Sequence, residues 1–177
     1  MNGLEGKARV LSELRPTCAG RIRWGAKPVA FRPDFADDPE EDNKEPAMKT
    51  ILLFGDSNTH GTRPMPDLGY TERFGREERW AGRLARLLPD WDVIAEGHPG
   101  RTTVHDDPVE GEHRNGLTVL PALLESHRPI DVVLVMLGTN DLKERFSVNA
   151  GDIGHSLERL VRVILGSGAG PGNGAPG

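Results

Sequence analysis

A chain of 177 residues with a formal net charge of −5 has room for one domain of ordinary size rather than two. It carries no basic surplus with which to neutralise phosphates, which argues against general nucleic-acid binding. A single cysteine, Cys18, excludes an internal disulfide and cannot hold a structural zinc by itself, consistent with a reducing compartment.

Residues 1–47 combine scattered arginines and prolines with the acidic run Asp37-Asp38-Pro39-Glu40-Glu41-Asp42 and show no sustained period of 2 or 3.6. They are expected to be an extension without fixed structure, in which Cys18 and Trp24 have no task. The first residues lack the basic-then-apolar pattern of a secretory signal, and no run suits a bilayer, so a cytoplasmic protein without a membrane span is expected. The organised part is expected over residues 48–165.

Three apolar runs, each closed by a glycine, predict strands buried on both faces: residues 50–54 before Gly55, 92–96 before Gly97 and 131–137 before Gly138. Trp80, Leu84, Leu87 and Leu88 predict a helix ending before Pro89, with Trp80 in the core. Leu117, Leu120, Leu123 and Leu124 predict a second helix after Asn115-Gly116, in which Pro121 fits only the first turn or a kink. Ile153, Leu157, Leu160, Val161, Ile164 and Leu165 predict a third, with Asp152 near its positive end and Gly166 as its stop. Residues 166–177, half of them glycine, are expected to be a flexible tail that adds nothing to a core. The β-α-β-α-β-α order implies a parallel sheet with helices on both faces. It also leaves the third strand at an exposed edge, a liability for solubility.

Polar clusters follow all three strands, at the carboxyl ends where open parallel sheets gather their ligands. They read Gly55-Asp56-Ser57-Asn58-Thr59-His60-Gly61, Gly97-His98-Pro99-Gly100-Arg101-Thr102-Thr103 and Gly138-Thr139-Asn140-Asp141. A serine, a glycine N–H and an asparagine amide on one rim supply a nucleophile and donors for a tetrahedral oxyanion, which is what acyl transfer from an ester requires.

The trio GDSN, GHPGRTT and LGTND resembles blocks I, II and III of the SGNH hydrolases, also called GDSL-type esterases and lipases, and most resembles their bacterial arylesterase and acyltransferase branch. The resemblance covers about residues 49–165. It implies a flavodoxin-like three-layer α/β/α fold with a parallel sheet, C-terminally incomplete, and a serine ester hydrolase or acyltransferase for small acyl esters that needs no cofactor. Residue by residue, it implies that Ser57 is the nucleophile and that the Ser57 N–H, the Gly100 N–H and the Asn140 side-chain amide form the oxyanion hole. Asn58, His60 and His98 are candidates to line the substrate pocket.

The family's general base belongs to a D-x-x-H block for which this sequence has no counterpart. Asp152-Ile153-Gly154-His155 has the letters, yet Asp152 lies only 12 residues past Asn140, at the start of the last helix, so His155 is expected to face solvent. Turnover is therefore expected to be weak or absent. The alternative is a non-catalytic fragment or pseudoenzyme that keeps the rim as a small-molecule cleft. His105, Asp106, Asp107 and His113 are metal-ligand types without ligand spacing, and no metal is expected. Asp106, Asp107 and Arg101 are expected to brace the loop after block II through ion pairs and caps, and Asp56 and Asp141 to hold loops through backbone N–H groups. The expected partner is a small ester, not nucleic acid, and a homo-oligomer is left open.

Overall fold

The computed structural model describes residues 48–64 and 72–177; the extension expected over residues 1–47 lies outside them. Strands β1 (Lys49–Gly55), β2 (Trp91–Gly97) and β3 (Val132–Met136) form a parallel sheet in the order β2-β1-β3. The register sets Gly55 beside both Gly97 and Met136, so the three strands end nearly level. The helices are α1 (Ser57–His60), α2 (Trp80–Leu87), α3 (Gly116–His127) and α4 (Ala150–Leu165).

The layering follows from the two-residue period of a strand. Leu52 and Phe54 point to one face, among Leu120 and Leu124 of α3, Leu160 and Ile164 of α4, and Ile130. Ile51 and Leu53 point to the other, against Trp80, Ala81 and Leu84 of α2. These four β1 side chains are all buried, each contributing about 1.5–3 kcal/mol of apolar burial. From the central strand the chain runs first to β2 on one side and then to β3 on the other. A crevice at the carboxyl end of β1 results, the position at which open α/β sheets bind ligands.

Local signals set the helix ends. Asn115 caps α3 by accepting the N–H groups of Leu117 and Thr118. Asn149 and Asp152 form a reciprocal capping box on α4, which satisfies donors that would otherwise be orphaned. No described helix is long and apolar enough to cross a membrane.

Strands β2 and β3, expected to be buried on both faces, are only partly buried, with Leu134 and Met136 exposed, and four further expectations need correction. Leu87, 76% exposed, leaves the α2 stripe, and Val161 and Leu165 leave that of α4, because each helix offers the sheet only a narrow face. Pro121 sits in the second turn of α3, which continues through it to His127. Buried Leu120 and Leu124 on either side of the proline hold the helix in place while one backbone hydrogen bond is lost.

The fourth correction concerns residues 166–177, which are folded rather than flexible coil. Ala169 is 2% exposed within the core, and its carbonyl accepts the Ile130 N–H at 2.9 Å. At the end of the segment the Gly177 N–H donates to Asp131 O at 2.8 Å and Gly177 O accepts the Val133 N–H at 2.9 Å. This is the bonding of one residue of a parallel neighbour, so the β3 edge is partly covered. Glycine here permits close backbone approach: a Cβ on Gly170 would lie 2.6 Å from the Ala175 backbone.

Truncating Leu120 to alanine should destabilise the fold by about 2–5 kcal/mol, whereas Leu87→Ala should change stability by less than about 0.5 kcal/mol. Denaturant unfolding of both variants checks the assignment of inner and outer helix faces.

Candidate active site

The end of β1 carries α1 directly on top of the sheet. A Cβ on Gly55 would lie 2.0 Å from Thr59 Oγ1, and one on Gly97 would lie 2.1 Å from the His60 nitrogen. Only glycines let the four-residue helix sit this close. Asp56, 1% exposed, caps it: Oδ1 accepts the Asn58 N–H at 2.9 Å and the Asn58 side-chain amide at 3.0 Å. Gly61, at φ 81°, closes the turn with its N–H on Ser57 O. Ser57 is left half-buried, and neither its hydroxyl nor its N–H meets a partner among the described residues.

Beyond β2, the Arg101 N–H donates to His98 O at 3.1 Å, closing a turn with Pro99 second and Gly100 third at φ 76°. Proline followed by a positive-φ glycine is the pattern of a type II turn. The Gly100 N–H makes no hydrogen bond to a described residue. The His98 N–H donates to Gly55 O at 3.0 Å and ties the turn to β1. The buried Arg101 guanidinium donates to Gly55 O at 3.1 Å and to Glu96 O, and lies 4.4 Å over the Phe54 ring. Burial brings it down to about 10, against the pull of Glu96 and Asp56. Arg101 thus binds strand-end carbonyls, not the ion pairs expected of it.

Beyond β3, Asn140 begins a short 3-10 turn (Asn140–Leu142). Its side-chain amide donates one hydrogen to Arg101 O at 3.0 Å, and the second has no partner among the described residues. Asp141, fully buried, accepts the Thr103 N–H on both oxygens at 3.1 and 3.0 Å. Its Oδ1 also meets the Thr103 hydroxyl at 2.5 Å and His105 Nδ1 at 2.8 Å. His105 therefore belongs to Asp141 and lies 5.3 Å from the Phe146 ring. Asp106 receives the Asn115 amide at 2.8 Å.

Asp107 is buried, and its Oδ2 accepts from Lys143 at 3.2 Å and Arg145 at 2.7 Å. Burial acts to raise its pKa, yet the hydrogen bonds from Arg145, the Glu110 and Val109 N–H groups and Lys143 hold it well below its ordinary 3.8. None of these loop-to-loop pairs is visible in sequence spacing. Their only trace is matched charge in the loops after β2 and β3.

Both imidazoles of the rim are engaged. His60 Nδ1 meets Thr62 Oγ1 at 3.0 Å, and the His60 carbonyl accepts from Arg73 Nε at 2.6 Å. Burial, then Arg73 and Arg79, lower its pKa. His98 Nε2 accepts from Arg114 Nη1 at 2.8 Å. Burial, then Arg114, Arg101, His113 and His60, bring it down to about 4. Ser57, Gly100, Asn140, His60 and His98 thus share one rim, while Asn58 turns its amide onto Asp56. His155 is exposed on α4. Cavities of about 230 Å³, between α3, α4 and Ala169, and about 280 Å³, beside Arg73, Arg76 and Arg79, have no lining residue on this rim.

Residues 53–175 match the GDSL-like Lipase/Acylhydrolase family. An arylesterase of Vibrio mimicus is 34% identical over 124 residues, 70% of this chain and 52% of that protein. The inhibitor-bound aryl esterase of M. smegmatis superposes with a TM-score of 0.68 at 44% identity, covering 72% of this chain and 60% of that one. Est24, a carbohydrate acetylesterase from Sinorhizobium meliloti, gives 0.67 at 40% identity with the same coverage. The chain spans about half the length of the curated relative and three-fifths of these solved ones.

With its pKa near 4 in the fold and 6.5 as the ordinary value, His98 binds fewer protons native than unfolded. Its contribution to stability is complete above pH 6.5 and lost as pH falls towards 4. NMR titration should place the imidazole near 4, and His98→Gln should remove that component of the pH dependence; a resonance titrating near 6.5 would contradict the geometry.

Proposed function

Because the chain belongs to the GDSL-like lipase/acylhydrolase family, within the SGNH hydrolases, we propose that it is a serine ester hydrolase for small acyl esters. The observation that carries this reading is the set of uncommitted donors at one rim: the Ser57 N–H, the Gly100 N–H and the second hydrogen of the Asn140 amide. Ser57 Oγ attacks the ester carbonyl, and these three donors hold the negative charge that develops on its oxygen. The alcohol leaves, and water or another alcohol releases the acyl group from Ser57. The aryl esterase and carbohydrate acetylesterase names of the relatives support a short acyl group, acetyl above all.

Removal of the Ser57 proton is the weak step. No described imidazole bonds Ser57 Oγ, since His60 meets Thr62 and His98 accepts from Arg114. A positioned base is worth about 100- to 10,000-fold, so the described residues account for slow turnover only. The same observation favours a second reading, a cleft that binds small esters without turning them over.

Hydrolysis of 4-nitrophenyl acetate separates the two. On the first reading the chain shows slow turnover that Ser57→Ala abolishes and Asn140→Ala lowers by about 100-fold. Equal background rates in the chain and in Ser57→Ala sink the enzymatic reading; saturable binding of the ester without turnover then supports the cleft.

A further inference from the structure

We propose that Arg114 is the positioning residue that aims the Gly100 N–H at the rim, and that Glu110 in turn holds Arg114. The proposal rests on the acyl-transfer reading of that rim. The Gly100 N–H and the Pro99 C=O belong to one planar peptide unit, so fixing either end fixes the other. That unit is the central peptide of the turn from His98 to Arg101. Type I and type II turns differ by a flip of this peptide. One orientation presents a donor to the rim; the other presents a carbonyl oxygen, which repels an oxyanion.

Arg114 closes off the flip. Its Nη1 donates to Pro99 O, and the same nitrogen lies 2.8 Å from His98 Nε2. Proline at the second position limits φ but leaves ψ free, so the ring alone does not choose between the two orientations. The cation on the carbonyl end chooses. It also polarises the peptide, which makes the N–H at the other end a stronger donor.

Arg114 is itself held from both sides. Its backbone carbonyl accepts the Thr102 N–H at 2.9 Å, and its Nε lies 3.5 Å from Glu110 Oε2. Glu110 bridges two loops. Its Oε2 faces Arg114 and the Gly100 turn, where a Cβ on Gly100 would lie 2.6 Å from it and 3.2 Å from Arg114 Nε. Its Oε1 accepts from Lys143 at 2.5 Å and Arg145 at 2.6 Å. Those two cations also bind Asp107 Oδ2, while Asp107 Oδ1 accepts the Glu110 N–H at 2.9 Å. A chain of charge-assisted contacts therefore runs from the loop that carries Asn140 to the peptide that carries the second donor. The spacing between Asn140 and Gly100 is set across this bridge as well as through Arg101 O. A lysine in place of Arg114 can offer one ammonium to Pro99 O and His98 Nε2 but lacks the Nε that faces Glu110.

The test uses the full chain and the variants Arg114→Met, Arg114→Lys and Glu110→Gln, each checked for a cooperative melt. Two readouts are taken: kcat and KM for 4-nitrophenyl acetate, and the Gly100 amide resonance in proton–nitrogen NMR spectra. Arg114→Met should lower kcat by about 10- to 100-fold, less than outright loss of a donor, with KM within about twofold. The Gly100 amide should shift or broaden, Arg114→Lys should recover part of both effects, and Glu110→Gln should move both in the same direction by less. If Arg114→Met does not fold, Arg114→Lys and Glu110→Gln decide by the same criteria. An unmoved Gly100 amide in folded variants overturns the proposal, as does a change confined to KM. Absence of Ser57-dependent turnover in the parent chain defeats the acyl-transfer reading, and the amide resonance alone then decides whether Arg114 sets the peptide.

Discussion

Two missing side chains govern the geometry of the rim. Gly55 and Gly97 end adjacent strands at the same level, and α1 rests on both at distances that any Cβ would forbid. A larger residue at either place would lift α1 from the sheet, and with it the Ser57 N–H and hydroxyl. The platform beneath is stiff because β1 is buried from both faces, by α3 and α4 on one side and α2 on the other. Interiors packed to crystal-like density transmit displacement rather than absorb it. Ser57 is thus presented by the absence of atoms above a strand that is fully surrounded.

Above that platform, charge holds the loops in place. Asp141 fixes the loop after β2 through Thr103 and His105, and Asp107 with Glu110 fixes it again through Lys143 and Arg145. Asp107 is the buried member of this network, and with two cations and two backbone N–H groups on its carboxylate the loss of one cation leaves it still paired. Its cations remain partly open to solvent, so these pairs contribute positioning more than net stability. Glu110 is held below its ordinary 4.5 by Lys143 first, with Arg145 adding to the effect against burial. Both carboxylates therefore stay ionised across the physiological range, which keeps the two loops tied together.

The strands and the rim were legible in the sequence for the same reason. Each apolar run ends in a glycine, and each glycine opens a polar cluster, so the strand ends and the chemistry are marked by one signal. Asp56 and Asp141 could be assigned to loop bracing because short acidic side chains next to turns bond backbone N–H groups. What stayed hidden is long-range. Arg101 reaches Gly55 O across 46 positions and Arg145 reaches Asp107 across 38, and no local period records either. The glycine-rich residues 166–177 misled because composition measures conformational freedom in isolation. Once Ala169 enters the core and Gly177 pairs with β3, the same lack of side chains permits backbone contact instead. Leu87 shows the converse, a residue in phase with its stripe but beyond the reach of the sheet.

On the acyl-transfer reading, the two tasks of ester cleavage call for incompatible environments. Stabilising an oxyanion calls for donors and positive charge close by, and Arg101 and Arg114 lie beside the Gly100 turn. Accepting the serine proton calls for an imidazole that can become a cation. His98 is surrounded by Arg114, Arg101, His113 and His60, and His60 by Arg73 and Arg79, so protonation of either works against the field that favours the anion. The nitrogen of His98 nearest Arg114 is also already an acceptor. His98 therefore accepts from Arg114 within the donor cluster, a poor position from which to take a proton. On the same reading, a base for Ser57 is better placed away from Arg101 and Arg114, whose charge opposes protonation of any imidazole beside them.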